Sequence, residues 1–351
     1  MSPSPAETAH PLVAAARRLA DEVLAPAAAA VDADVVPSSH VDALKASGLL
    51  GATGPVGAGG GDAPPAVHRE IAEILVGACP STWFVLAQHA GPLRAVAEGP
   101  VVLRDRLLPP LCDGRLLAAT AFSQLRAGER CPTRVRRAAG GWVFDGVVPW
   151  LTSWGLADVL LLGGRSESGE VVFAVIDAVG RDALVASAPL AMAALSAART
   201  VSLRLDGYRV PDDAIVAVTA YDDWAARDRL GPVNANPALF GVARAAVAEL
   251  RNAGQGAAAE RLSREVDRVR AEAYALADAS DPDTDREERI ALRVEAGELA
   301  LRATAAAVTA GGGRAMALTA PAQRLARTAL FLLVQAQTAE IRAAQLAPLA
   351  R

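Results

Sequence analysis

Apolar positions change their spacing twice along the chain, and the two changes separate a helical block, a strand block and a second helical block. Leu12, Ala16, Leu19 and Val23 recur at steps of four and three, the stripe of an amphipathic helix that Pro26 is expected to close. Helical spacing returns over 41–50, 67–79, 81–96 and 101–111, with the loop sequence GPVGAGGGDAPP at 54–65, so five helices are expected before residue 115. From 115 to about 217 the rhythm becomes short runs of valine, leucine and aromatics broken by glycine and aspartate, a strand signature. Asp145-Gly146 tolerates positive φ at both turn positions and predicts a hairpin joining GWVF to VVPWLTS. Runs at 173–177, 184–186 and 200–205 predict further strands, and 147–162 reads as a strand pair. After Pro211, helices are expected at about 236–252, 257–280, 285–310 and 321–346. Thr284 and Glu287 match a capping box at the start of the third, and Gly311-Gly312-Gly313 supplies its stop. The expected fold is α+β and mostly α: an N-terminal helical domain at 1–114, a central antiparallel β barrel at 115–217 and a C-terminal four-helix bundle at 218–351.

Composition narrows the function classes. The chain has 351 residues, enough for a large core, and 35 basic against 39 acidic residues with no dense basic block, which argues against a nucleic-acid surface. Cys79, Cys112 and Cys131 are odd in number and far apart, which fits a reducing cytoplasm better than a disulfide framework. His10, His40, His68 and His89 stand singly, so no metal site is expected. Neither a signal peptide nor a membrane span is expected, and the 52% hydrophobic content with only 4% aromatics points to tightly packed, alanine-rich helices.

Three segments carry a more specific signal: DGVVPWLTSWGLADVLLL at 145–162, LDGYRVPDDAI at 205–215 and GGGRAMALTAPAQRLAR at 311–327. In this order they resemble the acyl-CoA dehydrogenase family, flavoproteins with helical, β and helical domains, and the resemblance runs from about Leu12 to Leu346. It implies a FAD cofactor, with Trp150 packed near the isoalloxazine, Thr152 hydrogen-bonded to it and Ser153 beside them. Ser123 takes the place of the family's usual hydroxyl residue and Gln124 that of an acidic one, while Gly312 and Gly313 belong to the turn at the cofactor's far end. Short fixed donors suit this task, because a reduced flavin gains electron density on its ring nitrogens and carbonyls. As residues alone, Trp150 and Thr152 are also ordinary strand formers, and Ser123 and Gln124 ordinary polar residues at a strand end.

The chain departs from the family where the chemistry is done. Oxidation of an acyl thioester needs a carboxylate to take the α-proton, and alignment on Pro321, Arg327 and Thr338 places Ala336 where the commonest branch has its glutamate. Another branch takes its base from the helix that opens the bundle, near Leu230 and Gly231 here, and neither is acidic. Asp228 and Glu340 lie close by and read as solvated helix charges, which leaves the catalytic base unknown. The stretch RNAGQGAAA at 251–259 keeps a charge in Arg251 but lacks the aromatic that usually accompanies it, and the loop after Gln124 lacks a glycine-rich run. The expectation is a FAD-dependent oxidoreductase acting on an acyl thioester or a related small molecule. The alternatives are a non-catalytic subunit of a heteromeric acyl-CoA dehydrogenase and a flavin monooxygenase on the same fold, for which His89 is the acid/base candidate. Apolar bundle positions including Leu325, Leu332 and Val334 suggest a homo- or hetero-oligomer.

Overall fold

The first apolar stripe runs further than Pro26. In the computed structural model, which describes residues 10–279 and 281–350, α1 (Pro11–Leu19) passes through a π turn (Ala20–Leu24) into α2 (Ala25–Ala33). Pro26 falls in the first turn of α2, just past a place where the regular hydrogen-bond ladder is already widened, so its missing N–H interrupts nothing. Then come α3 (Ser38–Ala46), α4 (Pro65–Ala78), α5 (Pro80–Ala87), α6 (Ala90–Glu98) and α7 (Val101–Cys112). Seven described helices therefore precede residue 115 instead of five: the π turn divides the first run, and a break at Gln88 and His89 divides the run at 81–96.

The strands are β1 (Ala118–Ala121), β2 (Thr133–Ala138), β3 (Gly141–Leu151), β4 (Val159–Arg165), β5 (Glu170–Asp177), β6 (Leu184–Ala186), β7 (Val201–Pro211) and β8 (Ile215–Ala220). They form one sheet in the order β6-β7-β3-β2-β4-β5-β8, with β1 beside β4. The helical, β, helical order holds. The sheet is mixed rather than wholly antiparallel, since β1 runs parallel to β4 and β2 meets β4 in parallel at Arg134 and Arg165. Its end strands β6 and β8 do not pair with each other, so hydrogen bonding leaves it open.

Asp145-Gly146 is not a turn. It lies inside β3, where Gly146 has φ +110° at a register shift against β7, and a Cβ there would sit 1.9 Å from the Pro132 carbonyl oxygen. The β2–β3 hairpin instead turns at Ala139 and Gly140, with Ala138 paired to Gly141 and Gly140 at φ +73°.

The second helical block holds α8 (Tyr221–Leu230), α9 (Pro237–Asn252), α10 (Gly256–Ala279), α11 (Arg286–Gly311), α12 (Pro321–Val334) and α13 (Ala339–Leu349). Asp285 is the N-cap residue of α11, which puts Thr284 outside the helix, and Gly312 ends it at φ +58°. The helix expected over 321–346 breaks at 335–338, where Ala336 adopts φ +51°. One continuous buried cluster joins α1–α5, one face of the sheet and α9–α12. A second fills the space between the other face and α6–α8. Ion pairs also tie the two helical blocks together: Glu73 of α4, nearly fully buried, accepts from Arg244 of α9 at 3.0 Å and from Arg270 and Tyr274 of α10 at 2.7 Å, and Arg327 of α12 pairs with Asp32 of α2.

Candidate functional site

Two places draw polar side chains out of an apolar frame. The first is the end of β3. Trp150 is 54% exposed there, whereas Leu151, Thr152 and Ser153 are all buried, because β3 ends at Leu151 and the chain turns inward past it. The Thr152 hydroxyl lies 3.1 Å from that of Thr200, which leaves one of the two protons unspent. Ser153 turns the chain at φ +71°, its N–H donates to the Ala198 carbonyl at 2.8 Å, and its Oγ is buried without a partner. Ser123 opens the 3-10 segment after β1, and its Oγ, like that of Ser153, is buried with no partner among the described residues. Gln124 donates from Nε2 to the Gly163 carbonyl at 2.9 Å, while its Oε1 is unpaired. An unpaired buried hydroxyl costs about 1–3 kcal/mol, so such groups collect where a ligand supplies the missing partner. The unpartnered Ser153 hydroxyl and the exposed indole just before it in the chain suit the polar edge and the face of a flavin ring.

The second place is a cavity of about 230 Å³ between α4–α6, the loop after α3, the start of α9 and the α12–α13 turn. Leu50, Ile71, Trp83 and Leu86 give it apolar walls, and His89, Asn236 and Gln335 add polar groups. Asn236 caps α9, accepting from the Ala238 N–H at 3.0 Å, and donates from Nδ2 to Gln335 Oε1 at 2.8 Å. Arg293 of α11 donates to the Gln335 carbonyl at 3.0 Å and to the carbonyl of Pro232, in the segment leading to Asn236, at 2.5 Å. Burial pushes the Arg293 pKa down to about 10, which still leaves it charged at neutral pH.

His89 is fully engaged. Its Nδ1 accepts from the Ala118 N–H at 3.0 Å, so Nε2 carries the proton and donates to the Leu111 carbonyl at 3.1 Å. Burial pushes its pKa down to about 4, and neither nitrogen is free for acid/base work. Asp228 forms a two-pronged pair with Arg126 at 2.7 and 2.9 Å, and Glu340 pairs with Arg286, which lowers its pKa. Neither carboxylate lines the cavity; the sequence reads both as solvated helix charges, whereas each is held in an ion pair and the Asp228 side chain is largely buried. Leu230 and Gly231 belong to α8 and the 3-10 turn after it, so the residue that the bundle's opening helix presents to the cavity is Asn236, an amide.

Residues 6–115 match the acyl-CoA dehydrogenase N-terminal domain. No curated relative matches the chain by sequence. Its fold is similar along the whole length to butyryl-CoA dehydrogenase from Megasphaera elsdenii, with 17% identity, 100% of both chains covered and a TM-score of 0.83. The chain has the acyl-CoA dehydrogenase fold, and the family match covers its residues 6–115. Glutaryl-CoA dehydrogenase from Mycobacterium smegmatis in complex with FADH2 is similar too, at 18% identity over 96% of this chain and 93% of that one, TM-score 0.80. So is FkbI, described as serving biosynthesis of the methoxymalonyl extender unit of the Fk520 polyketide, at 22% identity over 95% and 98%, TM-score 0.77.

Within this acyl-CoA dehydrogenase fold, Trp150 stands near the end of β3, Thr152 and Ser153 follow it, and Thr200, just before β7, pairs with Thr152, a contact that sequence reasoning missed. No hydrogen bond among the described residues joins Ser123 to that group. Gly312 and Gly313 stand at the end of α11 with nothing within 4 Å of a Cβ built on either. Asn236 and Gln335 were also missed. The Asn-Pro start of α9 and the neighbour of Ala336 were both visible in the sequence, but not their meeting across 99 residues.

Proposed function

We propose that this chain is a FAD-dependent oxidoreductase of acyl-CoA dehydrogenase type that receives the acyl part of a thioester in the cavity between its helical blocks. The observation that carries the cofactor reading is the pair of buried hydroxyls of Ser123 and Ser153, unpartnered among the described residues, together with the exposed Trp150 in the same stretch of chain as Ser153. Trp150 would cover an edge of the flavin, and Thr152, steadied by Thr200, would donate to it. Bound FAD supplies the acceptor for a hydride from the substrate. The chain's own residues then bind and orient the acyl group and exclude water from it. Removal of the α-proton needs a carboxylate, and the cavity offers Asn236 and Gln335, which are amides, beside Ala336. That absence supports a second reading, in which the chain is the binding subunit of a mixed assembly whose partner carries the base.

The test is flavin quantification on protein purified alone and together with homologous subunits, followed by Thr152→Val. Valine keeps the volume and deletes the donor. FAD is expected to bind about fivefold more weakly in the variant, the effect of one hydrogen bond of about 1 kcal/mol, and flavin reduction is expected to slow. Equal retention and equal reduction rates would remove Thr152 from the site.

A further inference from the structure

The amide pair in the cavity has a fixed orientation. Asn236 must present Oδ1 to the Ala238 N–H, so its Nδ2 faces Gln335, and Gln335 must answer with Oε1 at 2.8 Å. Gln335 Nε2 is thereby turned away from Asn236, and it has no partner among the described residues. Arg293 anchors the Gln335 backbone, and His89 has both ring nitrogens occupied. Thr53 and His68, the other polar lining residues, are exposed at the cavity's edge. Among the amide N–H bonds of the inner wall, two on Gln335 and one on Asn236 have no partner among the described residues.

Unpartnered amide N–H groups in an apolar cavity ask the ligand for an acceptor. We propose that the cavity selects an acyl group carrying an oxygen of its own, a 3-oxo or 3-hydroxy acyl thioester, with Gln335 as the specificity-determining residue. The inference rests on the acyl-thioester reading above. A saturated chain would press carbon against the Gln335 amide and strip its water without replacing it, whereas a carbonyl or hydroxyl oxygen satisfies the amide.

Isothermal titration of the full chain with hexanoyl-CoA, 3-hydroxyhexanoyl-CoA and 3-oxohexanoyl-CoA tests this. At least one oxygenated thioester is expected to bind roughly five- to tenfold more tightly than hexanoyl-CoA, the effect of one net hydrogen bond. Which of the two is preferred identifies the oxygen as hydroxyl or carbonyl. Gln335→Met, similar in length and without a donor, is expected to erase the preference, with circular dichroism confirming that the variant is folded. The comparison on the unmodified chain stands whether or not that variant folds. Equal affinity for all three ligands overturns the selectivity and leaves the acyl reading in place, whereas no binding of any of them overturns both.

Discussion

His89 ties its protonation to folding. The unfolded chain takes up this proton near pH 6.5, but the folded one only near pH 4, because the ring is buried and its Nδ1 already accepts from Ala118. Stability is therefore expected to fall as pH drops from about 6.5 to about 4, by about 3 kcal/mol in total for this group. Urea melts at pH 7 and pH 5 should show the loss, and His89→Gln should flatten it; an identical pH dependence in the variant would refute the assignment. Ala336 makes a different point. A non-glycine residue at φ +51° costs about 1 kcal/mol, yet the turn keeps this shape, with Arg293 pinning the neighbouring Gln335 carbonyl. This is the position at which the resemblance expects the base, and it holds an alanine. The unmodified protein is expected to oxidise saturated acyl-CoA thioesters poorly, and Ala336→Glu to raise that turnover by about a hundredfold or more in a dye-reduction assay. Rapid oxidation by the unmodified chain would show that the base lies elsewhere.

At the scale of elements, the sequence was most legible where spacing alone decides. The helices near 41–50, 67–79 and 101–111 and the strands at 173–177 and 184–186 fall close to where the apolar pattern puts them. It misled where one residue type serves two geometries. A glycine that accepts positive φ suits a hairpin turn and a bulge equally, and only the uninterrupted partner β7 (Val201–Pro211) makes Gly146 a bulge within an 11-residue β3. Pro26 was similar: proline ends a regular helix but is harmless beside a π turn, and that turn leaves no local signature. The same contrast runs through the candidate site. Trp150, Thr152 and Ser153 adjoin one another in sequence and could be named together. Asn236 and Gln335 meet only because α9 and α12 pack and Arg293 bridges their ends, a fact no local pattern contains.

For the whole molecule, the expectation of association rests on fewer residues than the sequence suggested. Leu325 and Leu332 are internal, at 3% and 1% exposure, and only Val334, at 60%, remains outside. Leu330, Leu346 and Leu349 join it in exposing apolar surface on α12 and α13. A dimer or tetramer is expected in light scattering, and a monodisperse monomer at working concentration would contradict it. The ion pairs between the helical blocks bear on how such a chain can change over evolutionary time. Glu73 is neutralised by arginines that lie beyond the sheet, and Asp32 by one close to the far end of the chain. Losing both arginines of Glu73, or the one of Asp32, strands a buried carboxylate, at a cost of about 3–5 kcal/mol. The two blocks are therefore inherited as a matched set. Recombination that swaps one of them for a homologue's would have to carry the complementary charges across the crossover, whereas exchange of the exposed loops leaves that pairing untouched.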